Sequence, residues 1–234
     1  QIVGKWWLPG MHEAGGETPT WDTESWRYGL HHAIVSGDTA YASWRDGGLT
    51  LLDVSDKAAP KLISAKNWTG RVGGATHTAL PLPDRNLLAV ADEGIADNAA
   101  DGIKRIWLFD IQDPSDPISI STLPQPAEDD FIAKGAHFGP HNLHENRPGS
   151  FVSDRLLFAT YQNAGLRAYD IRDPFEPKEV GAWVPPAPTQ MVDTRPDRPR
   201  VIQNFDVFVD SELRCYMTDY NAGLYILQYE GDVL

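Results

Sequence analysis

The sequence predicts an all-β protein, a β-propeller with four recognisable four-stranded blades. Three observations lead to this prediction: a phrase that recurs along the chain, strand-like runs around each copy, and turn residues between the runs. The phrase is a Gly-containing turn, an apolar and β-branched run, and an Asp with a Pro-bearing turn, shortened in the last copy. Leu49, Ile106, Leu166 and Leu224 occupy one place in it, so the unit recurs at spacings of 57, 60 and 58 residues.

Each copy of the phrase lies within a larger set of short strands. Two strand-like runs precede each copy, and in the first three units another run follows the Pro turn. Four short strands repeated radially are typical of a propeller blade. The predicted units are 31–65, 76–122, 140–185, and 204–234 together with 1–8, in one domain of a size usual for an all-β fold.

The two ends of the chain raise the question of how the ring closes. Residues 1–8 resemble the fourth strand of a blade, whereas the last unit stops soon after its third strand. One alternative is that the first strand completes the last blade and removes the open sheet edges. The other is that the chain is a processed piece of a longer propeller with further blades, which favours an extracytoplasmic or secreted location. If four blades do not close, we expect homo-oligomerisation.

Composition excludes several classes of partner and site. The net charge of -13 argues against a nucleic-acid partner, since phosphate contacts need clustered Lys and Arg. No apolar run approaches the roughly 18 residues of a membrane-spanning helix. The single cysteine, Cys215, excludes an internal disulfide framework and a multi-cysteine zinc site.

The repeated phrase also carries a family resemblance. The segments GGLTLLDVSDKAAP, AGLRAYDIRDPFEP and AGLYILQ resemble the LVIVD repeat, found in proteins similar to β-propellers. The resemblance covers nearly the whole chain beyond residue 30. It implies the propeller fold and leaves the function open, because one fold hosts many functions.

Histidines recur at equivalent positions of the predicted units. Six of the seven lie in or just before the predicted innermost strand of a unit: His31, His32, His77, His137, His141 and His144. Inner strands line the central channel, and imidazole suits Zn, Cu and Fe, so the pattern predicts a divalent transition-metal site. The predicted ligands are His32, His77 and His141. Because adjacent strand residues point to opposite sides, His31 is the alternative to His32 and His144 to His141. The competing interpretation is a set of hydrogen-bonding strand ends.

Two carboxylates and a group of aromatics complete the predicted site. Asp206, in the innermost strand of the fourth unit, is a candidate fourth ligand or general base. Glu93 or Asp92, neighbours in an acidic loop, is a candidate acid or base if burial raises its pKa. Five aromatics are candidates for the wall of an apolar substrate pocket, with packing between blades as the alternative for each. They are Trp21, Trp26, Trp44, Trp68 and Tyr161.

The histidine-bearing segments add a more distant resemblance. GLHHA, ATHTA and GPHNLHE stand where axial ligands are expected in propellers similar to the selenium-binding protein family and the carotenoid-cleavage oxygenases. That resemblance implies a metal-dependent enzyme, whether oxidase, oxygenase, lyase or hydrolase, using Fe, Cu or Zn on a small apolar or aromatic substrate. The alternative hypothesis is a non-catalytic scaffold that binds a protein or peptide on its loop-rich face.

Overall fold

The protein is all-β, as the sequence predicts. The structure is a computed structural model that describes residues 1–127 and 130–233. Within these residues there are fourteen antiparallel strands and two short 3-10 helices, Glu13–Gly15 and Pro83–Arg85. The strands are β1 Tyr28–Ser36, β2 Thr39–Arg45, β3 Leu49–Asp53, β4 Lys61–Lys66, β5 Thr76–Leu82, β6 Leu87–Asp92, β7 Ile106–Asp110, β8 Ile118–Thr122, β9 Leu156–Thr160, β10 Leu166–Asp170, β11 Lys178–Trp183, β12 Asn204–Val209, β13 Arg214–Asp219 and β14 Gly223–Gln228.

The strands form four consecutive units in the described part of the chain, and neighbours along the chain pair antiparallel in each. The units are β1–β4, β5–β8, β9–β11 and β12–β14. A single residue pair, Arg45 with Thr76, joins the first two into one curled eight-stranded sheet. In the third unit, residues 141–144 run beside β9, where the His144 N–H donates to the Phe158 carbonyl at 2.9 Å. This architecture is consistent with a β-propeller.

The recurring Asp of the phrase closes a turn. Asp53 ends β3, Asp110 ends β7 and Asp170 ends β10. Each of these is the third strand of its unit when residues 141–144, which run beside β9, are counted as the first strand of the third unit. In each case Oδ1 accepts the backbone N–H two residues further along, at 2.9, 2.7 and 2.9 Å. Such a side-chain bond mimics a backbone turn, which is why Asp is favoured here.

Neighbouring units are tied together through these same turns. The Ser64 hydroxyl of β4 donates to the Pro114 carbonyl at 2.8 Å. The Ser121 hydroxyl of β8 likewise donates to the Pro174 carbonyl at 2.6 Å. The last strand of one unit is therefore bonded to the turn after the third strand of the next.

The N-terminal segment contacts the first unit. A Cβ on Gly4 would lie 2.0 Å from the Lys57 carbonyl oxygen, and the Trp6 and Trp44 rings pack edge to face at 5.5 Å. Lys57 occupies the place in the first turn that Pro114 has in the second, so residues 1–8 lie where the last strand of a preceding unit would dock. In the described residues they form no strand, and β14 pairs with β13 alone. The predicted pairing with the last unit is absent, and ring closure stays a prediction.

Apolar side chains fill the spaces between the sheets. One core cluster joins the second and third units through residues such as Leu80, Leu108 and Tyr161. A separate cluster joins the third and fourth units and includes Phe158 and Met217. Among the described residues, no helix is both long and apolar enough to cross a membrane.

Candidate metal centre

Four rings, one from each unit, lie side by side and form a group called here the central ring cluster. His31 of β1 packs on His77 of β5, His77 on His141, and His141 on Phe205 of β12, with centroid separations of 3.9, 4.2 and 4.6 Å. Imidazoles this close disfavour one another's charged forms. Burial, reinforced by the neighbouring cations, lowers the pKa of His77 far below its ordinary value, and the pKa of His31 is also lowered. At neutral pH these two rings offer nitrogen lone pairs.

Local irregularities in the strands aim these rings inward. The pairing register shifts between Tyr28 and His32 in β1, on either side of His77 in β5, and on either side of Phe205 in β12. A β-bulge of this kind re-aims a side chain and is over-represented next to active sites. Because His31 lies at the shift, it faces the centre, whereas His32 pairs in regular register with Ser43.

The hydrogen-bond network fixes the tautomer of His77, which is 2% exposed. Its Nδ1 lies 2.7 Å from Thr78 Oγ1, and the Thr78 hydroxyl donates to Asn142 Oδ1 at 2.7 Å. The Thr78 oxygen therefore accepts a hydrogen bond from Nδ1–H, which leaves the ring's lone pair on Nε2. Within the described residues that buried Nε2 has no hydrogen-bond partner. A ring held through its other nitrogen is the usual state of a metal-ligating histidine.

Glu93 brings a negative charge to the rings. It follows β6, and its backbone N–H donates to the Ala75 carbonyl at 2.9 Å. Its Oε1 lies 3.5 Å from His141 Nε2 and its Oε2 lies 3.7 Å from Arg45 Nη1. Burial opposes ionisation of Glu93, but the hydrogen bond and charge of His141, together with the charges of His31 and Arg45, outweigh it and lower the pKa. Glu93 is therefore an anion at neutral pH.

Two histidines and this carboxylate converge on one point. One potential donor atom from each of His31, His77 and Glu93 lies within 4.8 Å of the others. Each residue also has a buried nitrogen or oxygen with no hydrogen-bond partner in the described structure: Nδ1, Nε2 and Oε2 respectively. A buried polar atom left unbonded costs about 1–3 kcal/mol. Three in one place, with this chemistry, fit a cation ligated by two imidazoles and a carboxylate.

His141 adds a further potential ligand. Its Nδ1 lies 2.6 Å from the Phe205 carbonyl oxygen, so Nδ1 carries the proton. In a neutral ring the Nε2 lone pair would then face Glu93 Oε1 across 3.5 Å. That contact is repulsive unless a proton or a metal cation lies between the two atoms. His141 and Glu93 are therefore placed to share a cation.

The structure does not bring the other two predicted histidine ligands to this cluster. His32 Nε2 lies 3.0 Å from Glu145 Oε1. The Val209 N–H donates to His144 Nδ1 at 3.1 Å, and His144 Nε2 donates to the Phe151 carbonyl at 2.9 Å. Both nitrogens of His144 are used, and the residue ties the third unit to the fourth. The ligand set suggested by the geometry thus takes His31 in place of His32 and omits His144.

The two predicted catalytic carboxylates lie in different surroundings. Glu93 lies in the cluster. Asp206 is exposed on β12, and its Oδ1 accepts the N–H of Val207 at 2.8 Å. Because Phe205 turns inward at the register shift, its neighbour Asp206 does not reach the cluster. The fourth unit contributes an aromatic ring and a backbone carbonyl instead of the predicted carboxylate.

The five predicted pocket aromatics each contact other residues, and in the described part of the chain no ring pair joins two of the five. Trp21 stacks on a tyrosine at 4.1 Å, and Trp44 donates to a threonine hydroxyl at 2.8 Å. Trp68 donates to a buried carboxylate at 2.9 Å. Trp26 is partly exposed, and Tyr161 lies within the core between the second and third units. The contacts of these five residues fit packing, and a substrate pocket formed by them stays a prediction.

Asp92, the residue before Glu93, has the opposite environment. Its Oδ2 accepts the indole N–H groups of Trp68 and Trp107 and the backbone N–H of Gly74, at 2.9, 2.7 and 3.2 Å. A threonine hydroxyl donates to its other oxygen at 3.2 Å. Burial raises the pKa of Asp92 to about 6 against these hydrogen bonds. With both oxygens bonded, Asp92 holds loops together and is no ligand.

Sequence reasoning missed Phe205 and Arg45. The signal for Phe205 was its place directly after Asn204, which parallels His77 after Thr76. A fixed number of residues before the repeated phrase does not lead from His77 to Phe205. The turns between strands, and the loop from 93 to 105, differ in length between units. The sequence gave no signal for Arg45, because its contact with Glu93 joins the first unit to the second.

Comparison with known proteins supports the fold and the repeat. The family described as the LVIVD repeat matches residues 32–67, which span most of the first unit. The designed protein Ika4 is similar in structure, with a TM-score of 0.52 and 8% identity over 89% of this chain and 96% of Ika4. At this identity the likeness concerns the fold alone.

Two natural structures show weaker likeness. Sqt1 of Saccharomyces cerevisiae has a TM-score of 0.47 and 9% identity over 86% of this chain and 47% of its own. A hypothetical selenium-binding protein from Sulfolobus tokodaii has a TM-score of 0.43 and 14% identity over 87% of this chain and 66% of its own. No curated protein matches the chain. The match over residues 32–67 confirms the predicted LVIVD resemblance in the first unit of an all-β, propeller-like repeat protein.

Proposed function

We propose that this protein is a metal-dependent enzyme that acts on a small organic molecule at the central ring cluster. The observation that carries the proposal is the convergence of His31, His77 and Glu93, whose potential donor atoms lie within 4.8 Å of one another. Each of these residues also keeps a buried polar atom without a hydrogen bond in the described structure. Groups used only for stability are normally satisfied within the fold.

The donor set narrows the metal to Fe, Cu or Zn. Two imidazoles and one carboxylate form the ligand set of non-haem iron oxygenases and of several catalytic zinc sites, and imidazole also suits copper. A divalent ion held there would polarise a substrate oxygen or activate water or dioxygen. Three protein ligands leave coordination positions open for a substrate, which a purely structural site does not require.

Residues around the cluster orient the His77 and His141 rings, and His141 would transfer a proton. Thr78 and Asn142 hold the His77 ring through Nδ1, and the Phe205 carbonyl holds His141 in the same way. His141 Nε2 is thereby directed to the reacting centre beside Glu93. In the proposed mechanism this nitrogen accepts a proton from the bound substrate or water and returns it to the product.

A second candidate function is an interaction scaffold on the loop-rich face. The observation that favours it is exposed aromatic surface in two connecting segments: Trp26, before β1, is 38% exposed and Tyr220, between β13 and β14, is 50% exposed. Exposed aromatics are common anchors in protein interfaces. A scaffold does not need unbonded imidazoles in its centre, so we place the enzyme first.

The test measures metal content and turnover together. The protein is produced with Fe, Cu and Zn supplied and subjected to elemental analysis, and each metal form is then incubated with a panel of small aromatic and aliphatic compounds. We expect near-stoichiometric metal, and consumption of at least one compound detected by mass spectrometry or dioxygen uptake.

Two variants complete this test. His77→Ala removes a proposed ligand, and His12→Ala removes an exposed histidine of the first loop as a matched control. Metal and turnover should be lost in the first and kept in the second. Wild-type protein that is metal-free after supplementation, or metal content equal in both variants, would overturn the proposal and favour the scaffold.

A further inference from the structure

Arg45 borders the metal cluster and reaches solvent. It is the last residue of β2, and its Nη1 lies 3.7 Å from Glu93 Oε2. Its side chain is 28% exposed, whereas that of Glu93 is 14% exposed. A molecule that approaches the cluster past Arg45 would therefore meet the guanidinium before the carboxylate.

The guanidinium keeps its hydrogen-bonding capacity free. An arginine side chain has five N–H donors in a planar fork. Within residues 1–127 and 130–233, the Arg45 side chain makes no hydrogen bond, and its ion pair with Glu93 is long. By contrast, two nitrogens of the fully buried Arg167 donate to the Ala164 carbonyl at 3.0 and 2.7 Å. Arg45 is thus placed for recognition, whereas Arg167 is used in the fold.

The backbone holds Arg45 in an unusual conformation. Its φ is +52°, a left-handed value that costs free energy for a residue with a Cβ. The residues on both sides are fixed: the Trp44 N–H donates to the Gly48 carbonyl at 2.8 Å, and Asp46 Oδ2 accepts the Arg27 N–H at 2.8 Å. A strained backbone between fixed neighbours presents the Arg45 side chain in a defined direction.

The charge at this point fits a carboxylate. In the described residues no other Lys or Arg forms an ion pair with Glu93. One guanidinium matches the planar, singly charged carboxylate with two parallel hydrogen bonds. Polyphosphates and nucleic acids are instead held by several clustered cations, and this chain has a net charge of -13.

We propose that Arg45 is the substrate-anchoring residue of this site and that the substrate is a small carboxylic acid. The proposal rests on the function proposed above. The substrate carboxylate is held by the Arg45 fork, which places the adjacent carbon atoms over the His31, His77 and Glu93 cluster. Arg45 therefore determines specificity, because its fork adds affinity for a carboxylate and adds none for neutral or cationic analogues of the same shape.

The experiment measures binding of fluorinated probes by ¹⁹F NMR to Zn²⁺-loaded and to metal-free protein. The probes are 4-fluorobenzoate and the smaller trifluoroacetate, with neutral 4-fluorobenzyl alcohol for comparison. The variants are Arg45→Gln, Arg45→Lys and Arg71→Gln, in which Arg71 is an exposed arginine in a loop after β4. Circular dichroism checks that each variant is folded.

We expect at least one carboxylate probe to bind and its affinity to fall tenfold or more in Arg45→Gln. Arg45→Lys should recover part of the loss, because it keeps the charge without the fork. Arg71→Gln should match wild type, and the neutral alcohol should bind Arg45→Gln and wild type alike. Equal carboxylate affinity in Arg45→Gln and wild type, or no carboxylate binding to either protein form, would overturn the inference.

The two proposals fail in distinguishable ways. If Zn²⁺ does not bind wild type, the proposed metal function fails, while the metal-free series still reports whether Arg45 binds the anion. If Zn²⁺ binds equally well to wild type and Arg45→Gln but the carboxylates do not distinguish the two, the metal function survives and the Arg45 inference is wrong.

Discussion

The turns after the third strands and the central ring cluster use polar side chains in opposite ways. In the turns, Asp53, Asp110 and Asp170 each bond a backbone N–H two residues away, so every partner is local and the arrangement repeats. In the cluster, His31 of the first unit meets His77 and Glu93 of the second, and each keeps a buried atom without a hydrogen bond in the described structure. A polar residue that repeats and is satisfied locally indicates structure, whereas convergent unsatisfied groups indicate a ligand.

Asp92 and Glu93 show the same contrast between neighbouring residues. Both are acidic and follow one another at the end of β6. Asp92 is bonded on both oxygens by four donors, and burial raises its pKa to about 6. Glu93 has one oxygen near His141 and another that lacks a hydrogen bond, and its pKa is lowered. Of these two neighbours, Asp92 therefore stabilises the fold, whereas Glu93 belongs to the proposed metal site.

The largest effect we expect is on metal affinity. Glu93→Gln removes the only anionic ligand of the proposed set, so Zn²⁺ affinity measured by calorimetry should fall at least 100-fold, about 3 kcal/mol. Asp110→Asn, a matched acid-to-amide change in a turn, should leave the affinity unchanged. Equal losses in the two variants would remove the distinction between the regions.

We expect the turn residue Asp110 to stabilise the fold without affecting metal binding. Asp110→Ala leaves the Gln112 N–H without its acceptor at 2.7 Å, so the free energy of unfolding should fall by about 1–2 kcal/mol. Urea denaturation measures this loss, and Zn²⁺ affinity serves as the control. An Asp110→Ala protein as stable as wild type would show that the recurring Asp is not stabilising.

Replacing a histidine of the cluster should change the free energy of unfolding by less than Asp110→Ala does, and should not lower it. His77→Leu removes a buried Nε2 that lacks a partner and keeps most of the volume. The bond from Nδ1 to Thr78 is lost, but the Thr78 hydroxyl keeps its bond to Asn142. In metal-free protein the free energy of unfolding should stay equal to that of wild type or rise by up to about 1 kcal/mol. The same denaturation experiment checks this, and a loss above about 2 kcal/mol would mean that His77 is needed for folding.

The smallest effect we expect is on the pH dependence of stability. Burial raises the pKa of Asp219, whereas the Arg172 side chain lowers the pKa of the turn residue Asp170. The raised pKa gives Asp219 a contribution that is present below about pH 4 and lost as pH rises through the folded pKa. The lowered pKa gives Asp170 a contribution that is present above about pH 4 and lost as pH falls.

Two amide variants separate these opposite slopes. In metal-free protein, Asp219→Asn should flatten the decline in unfolding free energy between pH 4 and 7, and Asp170→Asn should flatten the decline below pH 4. Urea denaturation at a series of pH values gives both slopes. Identical changes of slope in the two variants would contradict the assigned environments.

The fold could be predicted from sequence because its signals are local. The recurring Asp and Gly turns define the third strand of each unit, and the runs on either side of it define the others. The site could be predicted only in part. His77 of β5 and His141, in the segment beside β9, lie where the pattern predicts, and the register shift in β1 selects His31, the predicted alternative to His32. The register shift in β12 places Phe205, which was not predicted, in the position expected for Asp206.

The environment of Glu93 could not be predicted either. The sequence suggested a carboxyl with a pKa raised by burial, whereas the structure surrounds it with two histidines and Arg45, which lower the pKa. Those neighbours come from three other segments of the chain. Contacts between units decide ionisation, and a sequence pattern within one unit does not report them.

Anomalous diffraction from crystals grown with Zn²⁺ tests the central claim most directly. The data are recorded on both sides of the zinc absorption edge, so that peaks can be assigned to zinc. We predict one strong peak at the ring cluster, about 2.0–2.2 Å from a nitrogen of His31, a nitrogen of His77 and an oxygen of Glu93. A cluster without a peak, in crystals that show zinc only at surface side chains, would contradict the account.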